Sequence, residues 1–129
     1  MTPKIIVENF YACIHSGDLA GVLNLLSADI EWELVGPKSI PYFDTYSGKE
    51  GVENFFLRLF NAEEIQDFAP LEIIVENSVV VVFGHETCKS KSSGRVFSAE
   101  WVHRFEIRDG VIAKWKEIID TARVNEAYL

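Results

Sequence analysis

The sequence predicts a single α+β domain over residues 1–129, in which helices cover one face of an antiparallel sheet. The length of 129 residues is that of one domain of ordinary size. Apolar residues recur at helical spacing in the first half of the chain, whereas the part after Pro70 consists of strand-like segments separated by turn signals. Helices followed by a run of strands are typical of an α+β architecture.

Two helices are predicted at the start of the chain. Pro3 suits a first helical turn, and Gly17 suits a helix end because glycine adopts the left-handed conformation easily. Asp18 is placed to cap the second helix, which is expected over residues 19–26. The apolar positions that define the buried face of the first helix are Ile6, Val7, Phe10, Tyr11 and Ile14.

A strand, a loop and a third helix are expected next. Residues 30–35 alternate between apolar and acidic side chains, which predicts a strand. Residues 36–46 contain two prolines and several aromatic residues, which indicates a loop that covers a pocket or packs its own aromatic rings. The motif Ser-Gly-Lys-Glu at residues 47–50 is a capping box that opens a helix. A second loop is expected over residues 60–70.

Four strands are then expected to form an antiparallel meander. Turn signals separate them, of which Asn77-Ser78 and Asp109-Gly110 are the shortest. The predicted strands cover residues 71–76, 79–89, 95–107 and 111–119. A short helix, capped by Asp120 or Thr121, is predicted at the end of the chain.

The apolar run Val-Val-Val-Val-Phe at residues 79–83 predicts association between chains. An antiparallel strand with one face in water should alternate, and this run does not. Both faces of the strand are therefore expected to be buried, one against the helices and the other against a second copy of the chain. The sequence predicts a homodimer that forms through the sheet.

The composition disfavours several kinds of partner and cofactor. A net charge of −8 and the lack of a lysine- or arginine-rich stripe disfavour nucleic acid. Cys13 and Cys88 have no metal-type spacing, so we expect two free thiols in a reducing compartment, with no metal and no other cofactor. The first residues carry no signal pattern and no apolar run reaches 18 residues. A cytoplasmic protein without a membrane span is predicted.

Motifs spread over nearly the whole chain resemble the nuclear-transport-factor-2-like superfamily, and within it the SnoaL-like and ketosteroid-isomerase-like group. They lie at residues 17–19, 25–32, 46–52, 102–112 and 118–121. The resemblance implies a cone-shaped, curled sheet wrapped by three helices around a deep apolar pocket, usually in a dimer. It leaves the activity open, because this fold carries several unrelated chemistries as well as non-catalytic binding proteins.

Glu33 is the first candidate catalytic residue. By the resemblance, it falls where ketosteroid isomerase keeps its carboxylate base, at the end of the first strand. A carboxylate in apolar surroundings has a raised pKa and can act as a general base near neutral pH. The competing interpretation is an exposed acid on a strand face in water, next to Glu31.

Two departures from the isomerase argue against steroid isomerisation. Phe10 occupies the position of its tyrosine donor on the first helix, although Tyr11 is adjacent, and Trp101 occupies the position of its protonated acid. Losing one such donor typically lowers the rate by about 10²–10³-fold. Epoxide hydrolysis is disfavoured as well, because the Arg-x-Asp part of the limonene epoxide hydrolase site is absent around His85.

His103 and Glu117 form a second candidate catalytic pair on neighbouring antiparallel strands. The resemblance suggests that the strand faces carrying Trp101 and Trp115 look into the pocket, and these faces also carry the pair. A histidine–carboxylate pair in an apolar pocket is suited to acid/base chemistry. The alternative is a cross-strand charge pair on the open face, since an error of one residue in register exchanges the two faces.

The resemblance and the residue types together predict a set of ligand-binding residues. His85 belongs to this set, although a lone histidine on an apolar strand also suits a core or interface position. The other candidates are Phe10, Tyr11, Trp32, Tyr42, Tyr46, Phe56, Trp101, Trp115 and Ile119.

Three functions remain open from the sequence. The first is a cofactor-free enzyme that moves protons on a small apolar carbonyl compound, as an isomerase or an aldol-type cyclase. The second is a protein that binds a small apolar molecule without reacting with it, and the third is a dimeric interaction module. A carboxylate inside an apolar cavity would favour the first, and a collapsed cavity would favour the third.

Overall fold

The computed structural model describes all residues 1–129 and confirms an α+β fold. The helices are α1 (Pro3–Ser16), α2 (Leu19–Asn24), α3 (Gly48–Ala62) and α4 (Thr121–Glu126). The strands are β1 (Leu26–Val35), β2 (Thr45–Ser47), β3 (Glu63–Glu76), β4 (Val79–Ser90), β5 (Val96–Arg108) and β6 (Val111–Ile119).

All six strands form one sheet in the order β2-β1-β6-β5-β4-β3. Strands β3 to β6 are the predicted antiparallel meander. Strand β1 joins the sheet parallel to β6, so the sheet is mixed and not wholly antiparallel. This parallel pairing connects the first strand of the chain to the last and lets the sheet curl around the core with its two edges apart.

Most of the predicted helix ends are confirmed, and their caps show why the chain turns there. Gly17 has a φ of 71°, the left-handed conformation that ends α1, and Asp18 accepts a hydrogen bond from the Gly21 N–H at the start of α2. Asp120 caps α4 in the same way. Helix α3 begins where the capping box predicts, but the Ser47 side chain makes no capping hydrogen bond.

The prediction of a second loop over residues 60–70 is wrong. Helix α3 continues to Ala62, and β3 begins at the next residue and passes straight through Pro70. Proline is tolerated there because β3 is the edge strand, where a missing N–H leaves no ladder bond broken, and the pairing is irregular just after it. The second helix is also shorter than predicted, because β1 already begins at Leu26.

Strand β4 alternates in burial in spite of its continuous apolar sequence. Val80 and Val82 are fully buried against the core, whereas Phe83 on the other face is 41% exposed. Within one chain, one face of this strand is therefore buried against the core and the other is partly exposed. No helix in the structure is both long and apolar enough to cross a membrane.

Candidate active site

A cavity of about 460 Å³ lies between the helices and the inner face of the curled sheet. Its walls are mainly aromatic, with Phe10 from α1, Phe55 and Phe56 from α3, and Trp32 and Trp115 from β1 and β6. This volume is in the range of sites for small organic molecules. An open cavity of this size disfavours the interaction-module interpretation, which expects a collapsed one.

His103 and Glu117 both line this cavity and are joined by a hydrogen bond. The distance from His103 Nε2 to Glu117 Oε1 is 3.1 Å, and the Tyr11 hydroxyl lies 2.8 Å from His103 Nδ1. Tyr11, His103 and Glu117 thus form one continuous hydrogen-bonded chain, which we call the acid/base chain. The structure thus places His103 and Glu117 at the cavity wall and not on the open face of the sheet.

Three elements hold the acid/base chain in place. His103 and Glu117 are direct partners in the β5–β6 ladder, so their side chains emerge side by side on the inner face. Tyr11 lies on the buried face of α1, one turn after Val7, and reaches the histidine from above the sheet. All three side chains are almost fully buried.

Burial favours the uncharged form of each group in the acid/base chain. It raises the pKa of Glu117 to about 8 and lowers the pKa of His103 well below its usual 6.5. A neutral imidazole with a protonated carboxyl group holds the same number of protons as an imidazolium with a carboxylate. The apolar surroundings favour the neutral pair. One proton can therefore move between the two side chains without any change in net charge.

The imidazole can pass a proton in either direction along the acid/base chain. With the Tyr11 hydroxyl donating to Nδ1, the Nε2–H of His103 donates to Glu117. In the other tautomer, Nδ1–H donates to the tyrosine oxygen and a protonated Glu117 donates to Nε2. Both tautomers keep the two hydrogen bonds of the imidazole, so the geometry allows a proton to pass along the acid/base chain to the cavity wall.

Trp101 supports the histidine from one side. Its ring is stacked on His103 at 3.8 Å between centroids and on Phe68 at 5.0 Å. The indole lies directly over Gly84, the residue paired with Trp101 in the ladder, and a Cβ at that position would come within 2.2 Å of the ring. A glycine is therefore required there for close approach of the aromatic ring.

A second polar cluster lies deeper and was not predicted from the sequence. Glu86, which also lines the cavity, accepts a hydrogen bond from the Cys88 thiol at 3.1 Å. Glu63 accepts hydrogen bonds from the hydroxyls of Tyr42 and Tyr128, the latter at 2.8 Å. Burial raises the pKa of Glu63 to about 7 and, together with the charge of Glu117, raises that of Glu86.

Glu33 does not line the cavity, and its predicted place in the pocket is wrong. Trp32 and Leu34 are buried, so the strand alternation turns Glu33 to the outer face of the sheet. There its carboxylate lies 3.8 Å from Lys116 Nζ, and both side chains are nearly half exposed. Glu33 is therefore an acidic residue on the solvent-exposed face of its strand, as the competing interpretation expected.

The predicted ligand-binding residues fall into three groups. Those that line the cavity are Phe10, Trp32, Tyr42, Phe56 and Trp115. Those that are buried behind the lining are Tyr11, Tyr46, Trp101 and Ile119. His85 alone is turned away, because its neighbours Gly84 and Glu86 occupy the inner face of β4.

Glu63 and Glu86 were not predicted as functional residues, for two different reasons. Glu63 lies in a segment predicted to be a loop, so no strand face could be assigned to it. Glu86 has the same strand parity as Val80 and Val82, which places it on the inner face. That parity was a usable signal, but the run of consecutive apolar residues before it hid the alternation.

The raised pKa of Glu117 predicts how stability depends on pH. Between about pH 6.5 and 8 the folded protein keeps a proton on Glu117 that the unfolded chain has released. The free energy of unfolding therefore falls as pH rises through this window. The lowered pKa of His103 has the opposite effect, which acts mainly below about pH 7, where the histidine of the unfolded chain takes up a proton. Urea unfolding at several pH values measures the slope.

Glu117→Gln should flatten that slope by up to about 1.4 kcal/mol per pH unit, because glutamine has no proton to release. Glu63 contributes a slope of the same sign, which the variant retains. Glu33→Gln is the matched control and should leave the slope of the wild type unchanged. A wild-type stability that rises between pH 6.5 and 8 would contradict the burial of a protonated Glu117.

Comparisons with known proteins agree with this architecture. The family profile of the SnoaL-like domain matches residues 7–115. No curated protein matches the chain in sequence. Many solved structures match the fold, and NTF2-like proteins from Burkholderia are among them.

The similar structures cover almost the whole chain. An NTF2-like protein from Burkholderia xenovorans is 28% identical, with a TM-score of 0.89 over 98% of this chain and 95% of the other. One from Burkholderia pseudomallei is 26% identical, with a TM-score of 0.87 over 99% and 98%. TerC, co-crystallized with polyporic acid, is 26% identical, with a TM-score of 0.87 over 98% of each chain.

Proposed function

The chain belongs to the SnoaL-like domain family, and we propose that it is an acid/base enzyme acting on a small, largely apolar carbonyl compound. The observation that carries this proposal is the acid/base chain of Tyr11, His103 and Glu117, which ends in an aromatic cavity. The reaction is an isomerisation or an aldol-type cyclisation. It uses the protein's own side chains to move the proton.

Glu117 is the residue proposed to exchange a proton with the substrate. Transfer of its proton to His103 leaves a carboxylate at the cavity wall, which can remove a proton from the carbon beside a carbonyl group. Tyr11 accepts a hydrogen bond from the imidazolium formed in this step. Removal of the proton leaves an enolate. Return of the proton to another carbon completes an isomerisation, whereas attack of the enolate on a second carbonyl completes a cyclisation.

The pKa of Glu117 near 8 suits this role. A general base or acid is most effective when its pKa lies near the working pH. Glu117 carries a charge only while His103 holds its proton, so this pair places no permanent charge in the apolar cavity. The co-crystallization of TerC with polyporic acid supports a small organic molecule as the ligand.

Deuterium exchange tests the proposal. The wild-type protein is incubated in heavy water with a panel of ketones, and NMR follows the loss of protons from carbons next to the carbonyl. We expect catalysed exchange with at least one member that fits a cavity of about 460 Å³. Binding of panel members without any exchange would replace the proposal with a non-catalytic binding protein.

We also propose that the chain forms a homodimer through the outer face of the sheet. Phe83, Val102, Ile118 and Val35 are successive partners across four neighbouring strands and form one apolar row. Phe83, Ile118 and Val35 are exposed in the single chain. A continuous apolar row of this kind marks an association surface, and a second copy offers an identical one.

Ile118→Glu should convert this dimer to a monomer of 14.6 kDa, because it places a charge in the centre of the apolar row. Light scattering after size-exclusion chromatography gives the mass. Leu57→Glu is the control, since Leu57 is an exposed apolar residue on α3, away from the sheet face. A wild-type protein that is monomeric, or a variant that stays dimeric, would refute the sheet interface.

A further inference from the structure

We infer that Glu63, Glu86 and Cys88 form a binding site for a single zinc-type divalent cation at the inner end of the cavity. One carboxylate oxygen from each glutamate and the Cys88 Sγ all lie within 4.8 Å of one another. All three side chains are buried, and Glu63 is only 2% exposed. This inference does not rest on the proposed acid/base function.

The hydrogen bonds of Glu63 leave one of its oxygens ready for a ligand. Its Oε1 accepts hydrogen bonds from both Tyr42 and Tyr128, which fixes the orientation of the carboxylate. Its Oε2 is buried and has no hydrogen-bond partner. A buried carboxylate oxygen without a partner is costly, and a bound cation would satisfy it. Orientation of a ligand by neighbouring donors is typical of metal sites.

The donor set selects the kind of cation. A thiolate with two carboxylates suits zinc and similar borderline-soft ions, whereas magnesium and calcium take oxygen ligands only. At bond lengths of about 2.0–2.3 Å, tetrahedral zinc holds its ligand atoms about 3.5 Å apart. Sγ of Cys88 and Oε2 of Glu86 are already 3.1 Å apart, and no other pair of ligand atoms needs to approach by more than about 1.3 Å.

The position of Glu86 connects this site to the cavity. Glu86 lines the cavity wall, whereas Glu63 and Cys88 lie behind it. Three protein ligands leave a fourth tetrahedral position for water or an oxygen atom of a bound molecule, and Glu86 places the ion next to the cavity.

Cobalt(II) is the probe for this site, because a cobalt–thiolate bond gives a charge-transfer band in the near ultraviolet. We expect one equivalent of cobalt per chain to produce this band and zinc to displace it. Cys88→Ser should abolish the band, whereas Cys13→Ser, which removes the other free thiol, should keep it. Glu63→Gln should weaken cobalt binding at least about tenfold.

Each outcome decides the inference. A wild-type protein that shows no thiolate band overturns it, and this result does not depend on the folding of any variant. A band that survives Cys88→Ser, or that is lost in Cys13→Ser, also overturns it. Zinc should raise the melting temperature of the wild type by more than that of Glu63→Gln, and equal shifts in the two proteins would overturn the inference. Since these readouts need no substrate, they stand apart from the exchange assay.

Discussion

We expect Glu117→Gln to lower the rate of catalysed proton exchange by about 10²–10⁴-fold, the usual contribution of a general acid or base. Glutamine has the same shape and can still bond to His103 Nε2, but it cannot take a proton. The effect should fall on kcat, because the change removes a step of the reaction and keeps the aromatic walls that bind the substrate. Kinetics of exchange by NMR measure it.

Glu33→Gln is the matched control for this prediction, since it makes the same chemical change on the outer face of the sheet. It should leave the rate within a factor of about two. His103→Gln should cost about as much as Glu117→Gln, and the double variant little more than either, because the two side chains act as one unit. Additive losses would contradict a shared proton relay.

Trp101→Ala should lower the free energy of unfolding by about 3–5 kcal/mol. The ring is 1% exposed and fills the space over Gly84 between His103 and Phe68, so its removal leaves a large cavity in the core. The effect includes little loss of hydrogen bonding, because the indole N–H of Trp101 has no partner. Urea unfolding of the variant and the wild type measures the difference.

Trp101→Phe should lose much less stability, because phenylalanine keeps an aromatic ring in the same place. Leu57→Ala is the surface control, and it should change the free energy of unfolding by no more than about 0.5 kcal/mol since Leu57 is 62% exposed. A loss below about 1 kcal/mol for Trp101→Ala would contradict the packing described for this ring.

The fold was predictable from the sequence because its signals are local. Helix periodicity, the caps at Gly17 and Asp18, and the turns between the last strands depend on neighbouring residues only. The parallel pairing of β1 with β6 was not predictable from these signals, because it joins segments about 80 residues apart in a register that no local motif states. The same holds for the short strand β2.

The candidate site was predictable only in part. His103 and Glu117 could be placed together because two adjacent strands with a short turn fix their own register. Glu33 was misplaced because the resemblance puts it at the position of a pocket base, whereas the alternation of its own strand, in which Trp32 and Leu34 point inward, turns it to the outer face. The role of Tyr11 could not be predicted, because it depends on a contact with His103, 92 residues away in the sequence, that only the folded structure shows.

The buried acid/base chain is tested most directly by the protonation of His103, which NMR of its ring nitrogens follows across a pH titration. We expect this imidazole to stay neutral at and below pH 6.5, because burial lowers its pKa. We also expect the signal of Nε2 to change in Glu117→Gln, since Glu117 is its hydrogen-bond partner. An imidazole that gains a proton near pH 6.5 and is insensitive to Glu117→Gln would contradict the buried acid/base chain.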